Sequence, residues 1–257
     1  MKDIVTQDSA LALVESIELP DHDTFHTSES DALPQPDLTQ DSGQNIAVGS
    51  QIAGFGAGFD PALRPAIANA FLIAQLAADG AIANSGGGSE AWYSAYLGIL
   101  TGLGMMAEDS TVSMREVSAT SLYLHNEIIP VLTTLLGPAA ATSTVLTVLS
   151  GLEQMDQDSP WITLFDRSSQ RASANQFQIS QAEMIGGVPR ITLAAFALSA
   201  ERSVTQVLFF RYSTSQATLK QFSKSLGLNT HVLSTAAPRI AEKLADRTLD
   251  FIADIQI

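Results

Sequence analysis

The alternation of apolar and polar positions divides the chain into a polar front and a more apolar remainder. Residues 1–48 are acidic, interrupted by proline and poor in groups that can be buried, which predicts a disordered acidic tail. One short piece, 9–19, is an exception, because its apolar residues recur at helical spacing behind a capping Ser9. Four residues form this stripe: Leu11, Leu13, Val14 and Ile17. We interpret the piece as a candidate docking peptide; the alternative is a residual helix without a partner.

From residue 49 the pattern predicts a single α+β domain that continues to residue 257. In its helical part, 60–170, apolar residues return at helical spacing, which predicts an N-terminal bundle of about four helices. The first helix is expected to begin at Asp60, a favourable N-cap followed by Pro61. The stretch just before it, 46–59, is rich in glycine and fits either a strand or a loop.

Two helical stretches, 91–107 and 128–152, carry little or no charge. In the first, the spacing of Gly98 and Gly102 lets another backbone come close, as in a membrane helix pair or in tight packing within a soluble protein. The second has the length of a membrane span, but Gly137 and Pro138 interrupt it. A soluble helix hairpin with a Gly-Pro turn is therefore the favoured interpretation.

The last third of the chain changes from helical to alternating periodicity. Residues 173–227 predict a roughly four-stranded antiparallel meander, and 230–252 predict a closing helix. Within the meander, Val204 to Tyr212 is apolar on both faces, as expected of a central strand. The following strand carries Lys220 and Lys224 on one face, which is typical of an edge strand.

A basic and aromatic cluster in this region suggests a surface for an acidic partner. It contains Arg202, Arg211, Lys220 and Lys224. An anionic membrane and the chain's own acidic tail are both candidate occupants. The alternative is a plain pair of strands, one central and one at a charged edge.

Charge is distributed unevenly along the 257 residues, whose net charge is −14. Residues 1–50 carry ten acidic residues and one lysine, for a net charge of −9; 51–160 carry ten acidic and two basic residues, for −8; 161–257 carry seven acidic and ten basic residues, for +3. An acidic chain is repelled by phosphate, so nucleic acid is an unlikely partner. A protein partner or self-association is expected instead, with an anionic membrane as the alternative.

Composition and motifs restrict the chemistry further. The chain has no cysteine, which excludes disulfides, cysteine-ligated zinc and iron–sulfur clusters. Asp21, His22, Asp23 and His26 are metal-ligand types, but nothing in the predicted tail orients them. The run Gly54 to Phe59 contains only the first half of a dinucleotide fingerprint. We therefore predict no catalytic, metal or cofactor site.

Three functions stay open on this evidence. The favoured one is a non-enzymatic interaction or assembly protein whose acidic N-terminal tail acts as a docking, loading or export segment. The alternative is a membrane-active protein of the pore-forming toxin type that uses 91–107 and 128–152, and a weaker alternative is an enzyme with a non-motif active site. No secretory signal peptide is recognisable, so we expect a cytoplasmic location or an export route that does not read such a signal. No motif places the chain in a family.

Overall fold

The computed structural model describes residues 5–20, 33–107, 115–117, 123–170, 175–200, 204, 206–210 and 217–256 of the chain. These residues form a mixed α+β structure. The helices are α1 (Gln7–Ser16), α2 (Arg64–Ser85), α3 (Ser89–Gly102), α4 (Leu124–Leu136), α5 (Thr144–Gly151), α6 (Pro160–Ser169), α7 (Thr230–Lys243) and α8 (Thr248–Phe251). The strands are β1 (Gln44–Val48), β2 (Gln51–Phe55), β3 (Met105–Ala107), β4 (Arg115–Val117), β5 (Asn175–Ile185), β6 (Val188–Ala200), β7 (Ala217–Leu228) and β8 (Ile252–Asp254).

One sheet collects all these strands, in the order β3-β7-β6-β5-β2-β1-β8, with β4 also paired to β7. The neighbours are antiparallel except β2 and β5, which run parallel. The first hairpin and the last strand therefore lie together at one side of the later meander, next to β5, while β3 and β4 lie at its other side.

Helices cover both faces of this sheet. On one face, α2 and α3 reach the strands through buried polar contacts such as Tyr96 to Gln51. On the other face, α6 packs by Phe165 against Phe177 of β5, and α5 contacts Gln181 of the same strand. Outside the first layer, α7 packs on α2, and α1 packs on α7 and α3. One hydrophobic core joins residues from Ala10 to Ile255.

The prediction of a disordered tail over 1–48 needs correction at two places that the structure describes. Residues Gln7–Ser16 are helical, and Gln44–Val48 form β1. The helical spacing within 9–19 had indicated the first of these elements, but the polar composition of the tail gave no sign that either element packs against the rest of the chain. Residues 1–4 and 21–32 lie outside the described residues.

The finer predictions for the domain also need correction, although a mixed α+β fold is confirmed. The helices over 60–170 form no bundle, because the sheet separates α2 and α3 from α4, α5 and α6. Among the described residues, the meander over 173–227 has three strands, β5, β6 and β7. The closing helix over 230–252 is two helices, α7 and α8, followed by β8.

The apolar stretch 204–212 was wrongly predicted as a central strand, as far as the structure describes it. Val207 to Phe210 form a turn in which the Phe210 N–H donates to the Val207 carbonyl, 3.2 Å away. Val207, Leu208 and Phe209 are buried, so this turn packs into the hydrophobic core and does not form a strand of the sheet. The predicted edge strand is also wrong, since β7 pairs with β6 on one side and with β3 and β4 on the other.

Several local predictions agree with the structure. The side chain of Asp60 accepts a hydrogen bond from the Ala62 N–H and starts a 3-10 turn at Pro61 that leads into α2. The helix α2 ends at Gly86, whose φ of 71° favours glycine. The uncharged range 128–152 is a bent helix pair, but the bend of 107° lies at Ser143, between Leu124–Thr142 and Thr144–Gln154, and not at the predicted turn of Gly137 and Pro138.

Candidate functional site

The candidate docking peptide is a capped helix. Thr6 is the N-cap of α1: its side chain accepts a hydrogen bond from the Ser9 N–H, and the Ser9 side chain accepts one from the Thr6 N–H. This reciprocal pair is a capping box, which satisfies two of the free N–H groups at a helix start. The sequence therefore marks the start of α1, with Thr6 and not Ser9 as the cap.

One face of α1 is fully packed against the rest of the protein. Ala10, Val14 and Ile17 are buried, at a spacing that puts them on one side of the helix. Of the predicted stripe, Val14 and Ile17 are thus in the core, and Leu13 is half-buried against it. Leu11 is half-buried, and Ala10 was missed because alanine adds little to an apolar stripe.

The surface that receives α1 lies between α3 and α7, and we call it the α1 groove. Its floor depends on Gly102: a Cβ atom there would lie 2.3 Å from Leu13 Cδ2, well inside contact distance. The close approach that the glycine spacing in α3 predicts is therefore made by α1. A Cβ at Gly98 would meet nothing within 4 Å.

Polar side chains of α7 and of the turn after it form hydrogen bonds along the edge of the α1 groove, at both ends of α1. At its first turn, Gln7 Nε2 donates to His231 Nε2 at 2.8 Å and to Thr235 Oγ1 at 2.7 Å. At its last turn, Lys243 Nζ donates to the carbonyls of Val14 and Glu15 at 2.8 and 3.1 Å. A cation at the carbonyl end of a helix also interacts favourably with the helix dipole.

Two arginines complete this edge. Arg239 forms a two-pronged ion pair with Glu15, in which Nη2 lies 3.0 Å from Oε2. This hydrogen bonding lowers the pKa of Glu15 and, together with Glu242, raises the pKa of Arg239. Arg247 Nη1 donates to the Pro20 carbonyl at 2.6 Å. The acidic front and the basic rear of the chain therefore meet here, helix against helix.

A second group of polar contacts holds residues 207–210 between two helices. The Val207 N–H donates to Asp166 Oδ1 of α6 at 2.8 Å, and burial raises the pKa of this carboxyl to about 7. The Leu208 carbonyl faces His125 Nδ1 of α4 at 3.1 Å, while His125 Nε2 lies 3.5 Å from Glu153. Segment 207–210 is thus held from both α6 and α4.

The predicted basic surface is only partly described. Lys220 lies 3.9 Å from Glu90 of α3 in an exposed ion pair, and Lys224 is nearly buried on the same face of β7. Arg202 and Arg211 lie outside the described residues, so a docking role for this cluster stays a prediction.

The glycine-rich turn after β2 is filled by the chain itself. The Arg64 guanidinium is fully buried, lies 5.5 Å from the centre of the Phe55 ring and donates to the Phe59 carbonyl at 3.2 Å. Burial lowers its pKa. The glycine run Gly54 to Phe59, which resembles half of a dinucleotide fingerprint, is therefore explained as a turn that packs around the Arg64 side chain.

No group of three or more His, Asp or Glu residues that could hold a metal ion exists among the residues the structure describes. Asp21, His22, Asp23 and His26 are not among them.

Comparisons with known proteins add little. No protein family model matches the chain. No curated protein matches it either. One similar solved structure is described as "Structure of the Evf virulence factor"; it is 10% identical, with a TM-score of 0.37, over 97% of this chain and 91% of that chain.

Proposed function

We propose that this chain is a non-enzymatic interaction protein in which α1 and the α1 groove form a helix-in-groove module. In the closed form α1 occupies the groove. In the open form the groove takes an amphipathic helix of a protein partner, and α1 is free to act as a docking, loading or export segment.

The observation that carries this proposal is the peripheral position of α1. Its apolar face packs on α3 and α7, and its hydrogen bonds to other elements go to α7 and the turn after it, at residues 231–247. It pairs with none of the described strands, so we expect the sheet to stay intact when α1 is removed. Such a helix has the apolar anchors at i, i+4 and i+7 that groove-binding helices use.

The experiment removes residues 1–20 and returns residues 5–20 as a separate peptide. Deleting all of 1–48 would remove β1 from the sheet and is not a usable test. A labelled 5–20 peptide should bind the shortened protein saturably by fluorescence anisotropy. It should bind the full chain much more weakly, because the tethered α1 competes at a high effective concentration.

Two peptide variants make this test specific. Val14→Asp places a charge on the buried face and should abolish binding. Ala12→Asp places the same charge on the exposed face and should bind nearly as well as the parent peptide. Failure of the parent peptide to bind a folded shortened protein, or equal binding of the two variants, would refute the module.

A second candidate function is membrane association of the α4–α5 pair. Two observations favour it: the pair passes a length and hydropathy test for a membrane span when taken together, and its exposed positions between 129 and 151 carry no charge. Helix Pro61–Ser85 passes the same test, but 56% of its most apolar window is buried. Insertion would require α4 to leave its contacts at His125 and Leu208.

Flotation with anionic liposomes at pH 7.5 and pH 5 tests this candidate. Thr134 is exposed on α4, so Thr134→Glu should leave the folded protein unchanged and prevent flotation. Protein that stays at the bottom of the gradient at both pH values would exclude the membrane function.

A further inference from the structure

An open pocket lies where strand β1 begins and strand β8 ends. Its volume is about 490 Å³, which is within the range of small-molecule binding sites. Residues of 35–45 form most of its lining, and Asp254 and Ile255 complete it. We call it the β1–β8 pocket.

Hydrogen bonds hold the segment before β1 against the outer edge of β8. The Asp254 N–H donates to the Pro34 carbonyl at 2.7 Å. Gln35 Nε2 donates to the Ile252 carbonyl at 3.3 Å and to the Leu249 carbonyl at 3.2 Å. Contacts to the backbone of β8 and of the turn before it thus fix the position of the chain that leads into the pocket.

The amide NH₂ groups in the lining are already used within the protein. Gln44 Nε2 donates to Asp254 Oδ1 at 3.2 Å, and Gln40 Nε2 donates to Asp37 Oδ2 at 3.3 Å. Because a carboxylate only accepts hydrogen bonds, these contacts fix which end of each amide faces it. The groups that remain for a guest are therefore mostly oxygen acceptors.

Two buried oxygens in the same lining lack a hydrogen-bond partner among the described residues. They are Asn45 Oδ1 and Gln44 Oε1, and Asn45 is only 6% exposed. A buried polar atom without a partner destabilises the folded protein. Since both atoms are acceptors, a guest that donates hydrogen bonds is the kind that would satisfy them.

The pocket also carries negative charge. The Thr39 hydroxyl and N–H donate to Asp37 Oδ1 at 2.6 and 3.1 Å, which lowers the pKa of Asp37, so its carboxylate is ionised at neutral pH. Asp254 supplies a second carboxylate. None of the described residues that line the pocket is basic. The pocket therefore attracts cations and repels anions.

Size and ligand number favour an organic cation over a metal ion. Calcium and magnesium take about six or more oxygen ligands in a compact shell. The described residues contain no group of three or more His, Asp or Glu side chains that could hold a metal, and a single ion would fill little of 490 Å³. Ammonium and guanidinium groups donate several hydrogen bonds and match a lining of acceptors.

We propose that the β1–β8 pocket binds a small organic cation that carries ammonium or guanidinium groups. The N–H groups of this cation donate to the carboxylates of Asp37 and Asp254 and to the amide oxygens beside them. The pocket shares no lining residue with the α1 groove, so this binding activity goes beyond the interaction function proposed above.

The test is isothermal titration calorimetry of the full chain with agmatine, which carries a guanidinium at one end and an ammonium at the other. Physiological salt in the buffer screens general attraction to the acidic surface. We expect saturable binding at one site per chain. Hexamethonium has two positive charges but no N–H group, so it should not bind saturably. Calcium chloride is the probe for a metal ion and should not bind.

Asp254→Asn is the decisive variant, because asparagine keeps an oxygen that can accept from Gln44 Nε2 and removes the charge. It should weaken agmatine binding about tenfold, as expected for the loss of one charge-assisted hydrogen bond. Asp37→Asn, at an exposed position, should weaken binding to a similar degree and replaces the first variant if that one does not fold. Asp246→Asn removes an exposed carboxylate outside the pocket and should leave the affinity unchanged.

Several results would overturn the proposal. Agmatine that does not bind saturably, calcium that binds in its place, or unchanged affinity in a folded pocket variant would each do so. Equal binding of hexamethonium, or equal weakening by Asp246→Asn, would assign the attraction to the net charge of the chain and not to the β1–β8 pocket.

Discussion

The buried carboxyl of Asp166 should make the stability of this protein depend on pH, and Asp166→Asn should remove that dependence. Asp166 is 6% exposed, and its Oδ1 accepts the Val207 N–H at 2.8 Å. The asparagine side chain keeps an oxygen acceptor at this place but cannot ionise. The substitution thus separates the charge of Asp166 from its hydrogen bond.

The magnitude follows from the pKa of Asp166, which burial raises from 3.8 to about 7. Between these values the folded chain holds a proton that the unfolded chain has released, so the free energy of unfolding falls as pH rises from about 4 to about 7. Above pH 7 the loss is complete. Three pKa units correspond to about 4 kcal/mol, which is an upper bound because local rearrangement reduces it.

Urea denaturation at pH 4.5 and pH 8, monitored by circular dichroism, measures this effect. Asp166→Asn should match the parent at pH 4.5 and be more stable at pH 8. Asp246→Asn, which removes an exposed carboxylate, should leave the difference between the two pH values unchanged. If Asp166→Asn instead destabilises the protein equally at both pH values, the carboxylate is not under strain and the reasoning is wrong.

Two further substitutions test contacts at the helix ends and at the α1 groove. Gly102→Leu should displace α1 through the clash with Leu13, so that limited proteolysis cuts first within 5–20. Gly98→Leu is the matched control, because a Cβ atom there meets nothing within 4 Å. Similar cleavage of both variants would contradict the packing of Leu13 over Gly102. Gln181→Met removes the side-chain oxygen that accepts a hydrogen bond from Ser143 Oγ at 2.9 Å. Urea denaturation should show a free energy of unfolding lower by about 1–3 kcal/mol. An unchanged midpoint of the urea transition would show that this hydrogen bond contributes nothing to stability.

Local signals in the sequence predicted local structure well. The start of the helix at Asp60 and Pro61 depends on neighbours along the chain, and the structure confirms it. The helical spacing of Val14 and Ile17 likewise predicted that they share one face, although not that this face packs into the core of the chain itself.

Features that depend on distant partners were not predictable in the same way. Residues 204–212 have a strand pattern, but Asp166 and His125 hold 207–210 as a turn from two helices far away in sequence. The lysines of β7 suggested an edge, but β3 and β4 cover that side of the strand. The burial of Tyr93 of α3 beside Gln176 and Gln178 of β5 was missed for the same reason, because no spacing within either element shows that these side chains converge.

The contacts of α1 also indicate whether ion pairs or apolar packing and backbone hydrogen bonds hold it in the α1 groove. The sequence suggested attraction between an acidic tail and a basic rear. Among the described contacts of 5–20, however, Lys243 and Arg247 donate to backbone carbonyls, and Arg239 alone forms an ion pair with a carboxylate. Exposed ion pairs are screened by salt, whereas bonds to carbonyls and apolar packing depend on it much less.

Binding of the 5–20 peptide to the protein that lacks residues 1–20 should therefore change little between 50 mM and 500 mM salt. Glu15→Gln in the peptide should remove most of the salt dependence that remains, because it removes the only ion pair between α1 and the other described residues. A loss of binding at high salt in the parent peptide would show instead that charge, and not the fit of Leu13 over Gly102, holds α1 in its groove.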